Sequence, residues 1–238
     1  MKIAAISDLH GYLPPVEEMP EAEVLCITGD LCCTSFDRNV TKSMAWFLRD
    51  FCKWIEALPY EKVFLVFGNH DFFTKGFLYK DNGSIRRPRA MKDDLFLPKK
   101  LSILFDTECV YKKKKFYGSP WCPNLPNWMF YKDHAELVEA FSKIPEDTDV
   151  LLTHCAPDID DYGTSHFDHG YIQDFGCIEL ASAIYEKRPK LCVFGHIHSG
   201  NHVESTWLAM ADKPVRLCNV SIMDERYEPT YRIKTFEI

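Results

Sequence analysis

Absences narrow this sequence before any motif does. No apolar stretch approaches the roughly 18 residues that cross a bilayer, so no transmembrane helix is expected. The opening Met1-Lys2-Ile3-Ala4-Ala5-Ile6-Ser7-Asp8 reaches an acidic residue after too short an apolar run for a signal peptide. It reads instead as a first strand, and the expected compartment is the cytoplasm. Positive charge is in deficit, with 28 Lys+Arg against 35 Asp+Glu and a net charge of −7. A phosphate backbone demands the opposite balance, which argues against nucleic acid as the main partner. The ten cysteines include no C-x-x-C pair, so neither a zinc–thiolate site nor a disulfide framework is expected. Cys26 and Cys192 lie inside apolar runs, and Cys32, Cys33, Cys122 and Cys155 also read as packing residues. No internal repeat, low-complexity tract or linker-like seam interrupts the chain, which reads as one domain over 1–238.

What is present is a series of short apolar runs that end in polar turns. Lys2–Ser7, Glu23–Thr28, Lys62–Phe67, Asp149–Thr153 and Lys190–Phe194 are each followed by Asp, Asn or His residues, several beside glycine. Unbroken runs such as Val63-Phe64-Leu65-Val66-Phe67 suit strands buried on both faces. Thr41–Leu58 places apolar residues at 44, 47, 48, 51, 54 and 55, one face of a helix that Pro59 ends. His134–Ile144 and Phe175–Lys187 are shorter helical patterns. Strands alternating with helices predict a layered α/β fold whose ligands bind at the strand ends. Asn201–Trp207, Val215–Val220 and Tyr231–Phe236 read as strands of a second sheet. Phe72–Pro98 reads as a polar loop, and Gly118–Asp133, rich in proline and aromatics, as a functional loop or lid.

The chemistry concentrates at the five strand ends. Asp8, His10, Asp30, Asn69, His154, His196 and His198 supply two carboxylates, four imidazoles and one amide, with no thiolate. Such a set suits borderline divalent ions (Mn, Fe, Zn, Co or Ni). It is more than one ion needs. A carboxylate shared by two ions about 3.5–4 Å apart distributes the ligands sensibly and suits phosphoester hydrolysis.

Asp8-x-His10, Gly29-Asp30, Gly68-Asn69-His70-Asp71, His154 and Gly195-His196-x-His198 together resemble the signature of the calcineurin-like metallophosphoesterase superfamily. Tyr117-Gly118-Ser119-Pro120-Trp121, Thr153-His154-Cys155-Ala156-Pro157 and Phe194-Gly195-His196-Ile197-His198 resemble the branch called metallophosphoesterase domain-containing proteins. Gly29-Asp30-Leu31-Cys32-Cys33 departs from it, because many members carry an acidic residue shortly after the aspartate. The resemblance implies a four-layer α/β-β/α sandwich of two mixed sheets flanked by helices. It assigns Asp8, His10 and His198 to one metal, Asn69, His154 and His196 to a second, and Asp30 to both, with manganese the ion of choice for assays. It also makes His70 and Asp71 catalytic, with Asp71 hydrogen-bonding the His70 imidazole. The implied reaction is in-line attack by a metal-bridging hydroxide on a small soluble phosphoester, a diester in preference to a monoester, with His70 protonating the leaving oxygen.

Other residues carry competing readings. His134 and His202 read as surface histidines, whereas His166 and His169 are candidates to line a substrate pocket. Trp121, Trp128, Phe130 and Tyr131 either stack on a substrate ring or anchor a proline-rich loop. Lys112–Lys115 and Arg86, Arg87 and Arg89 read as solvated charge. The rival functions are a non-catalytic metal-binding scaffold of the same fold and a metal-dependent nuclease.

Overall fold

Strand by strand, the apolar runs of the sequence order themselves into two stacked sheets. A computed structural model describes residues 1–78, 97–166, 172–208, 210 and 212–238. The strands are β1 (Lys2–Ile6), β2 (Val24–Ile27), β3 (Lys62–Leu65), β4 (Leu101–Ile103), β5 (Thr107–Tyr111), β6 (Lys114–Ser119) and β7 (Val150–Thr153). After them come β8 (Thr164–His166), β9 (Ile172–Asp174), β10 (Leu191–Phe194), β11 (Ser205–Trp207), β12 (Val215–Asn219) and β13 (Lys234–Glu237). One sheet runs β13-β1-β2-β3-β4 and the other β11-β12-β10-β7-β6-β5, while β8 and β9 form a separate antiparallel pair. In both sheets the interior strands are parallel and an antiparallel strand closes an edge.

Side-chain alternation divides the core. Ile3, Ala5, Val24, Cys26 and Phe64 from the first sheet meet Val150, Leu152, Leu191 and Val193 from the second. The opposite parity, Ala4, Leu25, Leu65, Leu151 and Phe194 among others, packs outward with apolar residues of the helices. Four layers result, as the resemblance implies. All ten cysteines are free. Among the described residues, no helix is long and apolar enough to cross a membrane.

Four departures from the sequence reading stand out. The helix predicted over Thr41–Leu58 is α1 (Val40–Trp46), a π-helical turn Phe47–Phe51, and α2 (Cys52–Ala57). Asn39 caps its start by accepting from Lys42 N at 3.1 Å. The wider turn shifts the helical phase, so Leu48, assigned inward by simple periodicity, is 40% exposed while Phe47 and Phe51 stack 5.3 Å apart in the core. The C-terminal strand, expected in the second sheet, pairs with β1 of the first instead, with Ile3 opposite Phe236. The lysine run lies at the β5–β6 hairpin, where Lys112 and Lys113 take left-handed φ. There Lys112 pairs with Glu23 and Glu61, and Lys115 with Glu108 and Asp147. Phe72–Leu78 is helical, through a 3₁₀ turn (Phe72–Thr74) and α3 (Lys75–Leu78), rather than loop. Residues 79–96, with Arg86, Arg87 and Arg89, lie outside the described residues, as does His169.

The proline-rich loop is anchored by its aromatics. Trp121 is buried against Phe105 and Phe130, and its indole N–H donates to Asp106 at 2.8 Å. Truncating it leaves a cavity and removes one of the two hydrogen bonds to the half-buried Asp106, which keeps Ser119, so Trp121→Ala is expected to cost about 3–5 kcal/mol in a denaturant titration. Beyond this loop, α4 (His134–Ser142) opens with a reciprocal Asp133–Glu136 capping box, and α5 (Ile178–Lys187) packs beside it.

Candidate metal centre

Parallel strands deliver their following residues to one edge of a sheet, and here the carboxyl edges of both sheets converge. Ser7 bridges to Ser221, and Gly195 N donates to His154 O at 3.1 Å, drawing the strand-end turns together. The turns are tight enough to need unusual backbone. Asp8, His10, Asp30 and His196 take φ of 56°, 41°, 52° and 72°, left-handed values that non-glycine residues rarely adopt. Strain of this kind, of order 1–3 kcal/mol per residue, persists where the surroundings over-determine the conformation. Glycine supplies the remaining space. A Cβ on Gly68 would lie 2.2 Å from Asp30 Oδ1, 2.4 Å from Asp30 N and 2.6 Å from His154 Cε1.

Two clusters result, Asp8–His10–His198 and Asp30–His154–His196, each with ligand atoms within 4.8 Å of one another. His10 Nε2 stands 3.2 Å from His198 Nε2, which is 3.6 Å from Asp8 Oδ1. Between the clusters, Asp30 Oδ2 lies 3.4 Å from His154 Nε2 and 3.8 Å from His10 Nε2. Asn69 Oδ1 is 2.9 Å from His154 Nε2.

The donor chemistry fits cations at both places. His154 Nδ1 donates to Thr28 O at 2.7 Å and His198 Nδ1 to Asp224 O at 3.1 Å, so in each neutral ring the Nε2 lone pair faces the cluster. The neutral His154 ring then sets a lone pair against Asn69 Oδ1 and Asp30, and His10, whose buried Nδ1 has no hydrogen-bond partner, faces the His198 lone pair through Nε2. A cation resolves such contacts. Burial pushes His10 down to about 4, and burial together with the His154 charge pushes His196 down to about 3, leaving both imidazoles neutral and able to ligate. For His154, burial is outweighed by the Asp30 charge and hydrogen bond, raising it to about 9. The negative surroundings that favour a proton there would equally favour a cation.

His70 stands beside the clusters, its Nε2 4.0 Å from Asp30 Oδ2. The expected Asp71–His70 hydrogen bond is not formed. Asp71 instead accepts from Leu31 N and Gly68 N, both at 2.8 Å, which ties the two strand-end turns together. The His70 partner is Asp37, whose carboxylate oxygens both lie 3.0 Å from Nδ1. Asp37 follows the 3₁₀ turn Thr34–Phe36, and this turn carries it to His70 from outside the motif. Burial lowers the His70 pKa, but the Asp30 charge and the Asp37 hydrogen bond and charge outweigh it, so the net shift is upward. In Asp37→Asn the protonated ring loses part of that support. The alkaline limb of activity is then expected to move to lower pH, with kcat falling about tenfold as orientation is lost.

Several other residues differ from the sequence reading. His202 is buried, not superficial: it stacks on Tyr231 at 3.7 Å and donates from Nε2 to His198 O. His134 is exposed as expected and pairs with Glu179. His166 is exposed, its N–H donating to Ser199 Oγ, while its neighbour Ser165 lines the cleft over the centre. Of the loop aromatics, Trp128 lines that cleft, 4.4 Å from the His70 ring, whereas Trp121 serves as an anchor. Sequence reasoning missed the turn after β12: Asp224 holds His198, Glu225 accepts from Ser199 and Ser165, and Tyr227 lies against His10 and His198. No spacing pattern marks these residues.

Residues 1–200 match the calcineurin-like phosphoesterase family. The chain belongs to that family. Calcineurin-like phosphoesterases bind divalent metal ions and hydrolyse phosphoesters, and the two clusters are this member's candidate ligand groups. Metallophosphoesterase domain-containing protein 1 of Homo sapiens is 30% identical over 240 residues, spanning 96% of this chain and 68% of its own length, and the Mus musculus protein gives the same figures. Among solved structures, phosphopantetheinyl hydrolase from Mycobacterium tuberculosis superposes with a TM-score of 0.52 at 15% identity, over 98% of this chain and 95% of its own. Another superposes with a TM-score of 0.59 at 12% identity, over 99% and 98%. These two likenesses are of fold.

Proposed function

We propose that this calcineurin-like phosphoesterase is a dinuclear phosphodiesterase acting on a small soluble phosphodiester. The observation that carries the reading is the position of Asp30, whose Oδ2 lies between a histidine of each cluster, 3.8 Å from His10 and 3.4 Å from His154. Asp8, His10 and His198 would hold one cation and Asn69, His154 and His196 the other, with Asp30 shared. Bound there, two divalent ions would act as Lewis acids toward the phosphoryl oxygens and lower the pKa of water to about 7. The chain itself aligns and excludes. Its buried carboxylates keep the ligands in register, and His70, held by Asp37, presents Nε2–H toward Asp30 on the edge of the centre. From there it can protonate a departing alkoxide. Asp71 supports this arrangement through the backbone of Gly68 and Leu31 rather than through the imidazole.

The test is hydrolysis of bis-p-nitrophenyl phosphate and p-nitrophenyl phosphate with Mn²⁺, comparing the wild type with Asp30→Ala and His70→Ala. Diester turnover exceeding monoester turnover, and lost in Asp30→Ala, is the expected result. For His70→Ala the loss is expected to depend on the leaving group, about 10²-fold or more for an alkyl ester and far less for p-nitrophenolate, which departs without a proton. Equal losses on an alkyl diester assayed alongside and on bis-p-nitrophenyl phosphate would remove His70 from the role of proton donor.

A further inference from the structure

The cleft over the metal centre has aromatic walls from outside the metal-ligand motifs. Trp128 stands 4.4 Å from the His70 ring, Phe175 6.1 Å from His196, and Tyr227 4.7 Å from His10 and 5.2 Å from His198. Three aromatic rings thus approach the centre on the sides of three different groups of histidines. Its charge is one-sided. Among the described residues that line the cleft, Asp30 and Glu225 are acidic and none is lysine or arginine. Three distant parts of the chain build this surface: the proline-rich loop brings Trp128, the segment after β9 brings Phe175, and the turn after β12 brings Tyr227. That turn is held firmly, with Asp224 accepting from the backbone of Arg226 and Glu228, and Glu225 Oε1 accepting from Ser165 and Ser199. Tyr227 has φ of 61° and remains 45% exposed.

We infer that this cleft selects phosphodiesters carrying an uncharged flat ring on an ester oxygen. The inference rests on the phosphodiesterase reading and adds the substrate class. A diester has one negative charge, which cations held by the two clusters would meet. A second anionic group would meet Glu225, and no lysine or arginine is among the described lining residues; Arg38, 5.2 Å from the Trp128 ring, is engaged with Asn127 O. Flat rings gain from aromatic walls whatever their substituents, since every ring offers a π face. At about 190 Å³ the cleft is smaller than the roughly 300–1,000 Å³ of pockets for drug-sized ligands, which suits a single ring beside the phosphoryl group rather than an oligomer.

Calorimetry on the Mn²⁺-loaded protein tests this without turnover, using dimethyl, dicyclohexyl, diphenyl and bis(4-carboxyphenyl) phosphate. Diphenyl phosphate is expected to bind at least about tenfold more tightly than dimethyl phosphate and than the dicarboxylate, with the dicyclohexyl ester between. Tyr227→Asn, chosen because asparagine tolerates a left-handed φ, and Trp128→Leu are each expected to cut the diphenyl-to-dimethyl ratio to about threefold or less. Equal affinity for diphenyl and dimethyl phosphate overturns the inference, as does a ratio unchanged in both variants. A dicyclohexyl ester bound as tightly as the diphenyl ester overturns the flat-ring selection. Ring-selective binding without hydrolysis of any diester would refute the phosphodiesterase reading alone, and turnover without ring selectivity would refute this inference alone.

Discussion

Asp30→Asn is expected to reduce diester hydrolysis about 10³-fold, equivalent to about 4 kcal/mol of transition-state stabilisation. Asparagine is nearly the same shape and can still accept from His70 N, the bond Asp30 Oδ1 makes at 2.8 Å. What it removes is the charge between the two clusters, at the oxygen 3.4 Å from His154 and 3.8 Å from His10. Metal should be lost along with rate. Added Mn²⁺ raises the melting temperature of the wild type by mass action, and the same addition should raise that of the variant much less. Activity retained within tenfold, or an undiminished Mn²⁺ shift, would show that Asp30 is not shared between two ions.

Gly68→Ala should be almost as damaging, though it touches no ligand chemically. The added methyl would sit 2.2 Å from one Asp30 oxygen, 2.4 Å from the Asp30 backbone nitrogen and 2.6 Å from the His154 ring. Side-chain rotation cannot relieve a clash with backbone, so the turns of β2 and β3 must part. Overpacking of this kind costs about 1–3 kcal/mol of stability. Displacing two ligands at once should cost at least about 10²-fold in kcat/KM. Circular dichroism with metal analysis separates the two effects: a folded protein of low metal content and low activity is expected. Full metal content with full activity would show that the turns can give way without cost.

Both substitutions concern residues that were legible in the sequence. Parallel strands such as Val24–Ile27 and Val63–Leu65 are buried on both faces, so their interiors admit only apolar side chains and polar chemistry must gather at their ends. Asp8, Asp30, Asn69, His154, His196 and His198 therefore stand where apolar runs stop, and their residue types announce a metal. Gly68 is visible for the same reason, as the hinge between strand and ligand. The edge elements were less legible. Leu101–Ile103 is too short for a periodic signal, and Lys114–Ser119 begins with two lysines, of which Lys115 pairs with Glu108 and Asp147. Phase across Phe47–Phe51 was misread because a π turn leaves no mark in an apolar spacing rule.

Asp37, Glu225 and Tyr227 belong to another category. Asp71 sits beside His70 in the chain, yet its oxygens are taken by Leu31 N and Gly68 N, while Asp37, 33 residues away, receives the imidazole. The family was legible in its motifs, and the layered fold and the candidate ligand residues in the pattern of apolar runs, because burial forces polar residues to strand ends and strand order carries those ends to one edge. Which carboxylate orients His70, and which rings wall the cleft, only the tertiary structure decided. Those contacts form between turns that share no periodicity, and their geometry is set by how two sheets and their loops pack rather than by any local rule.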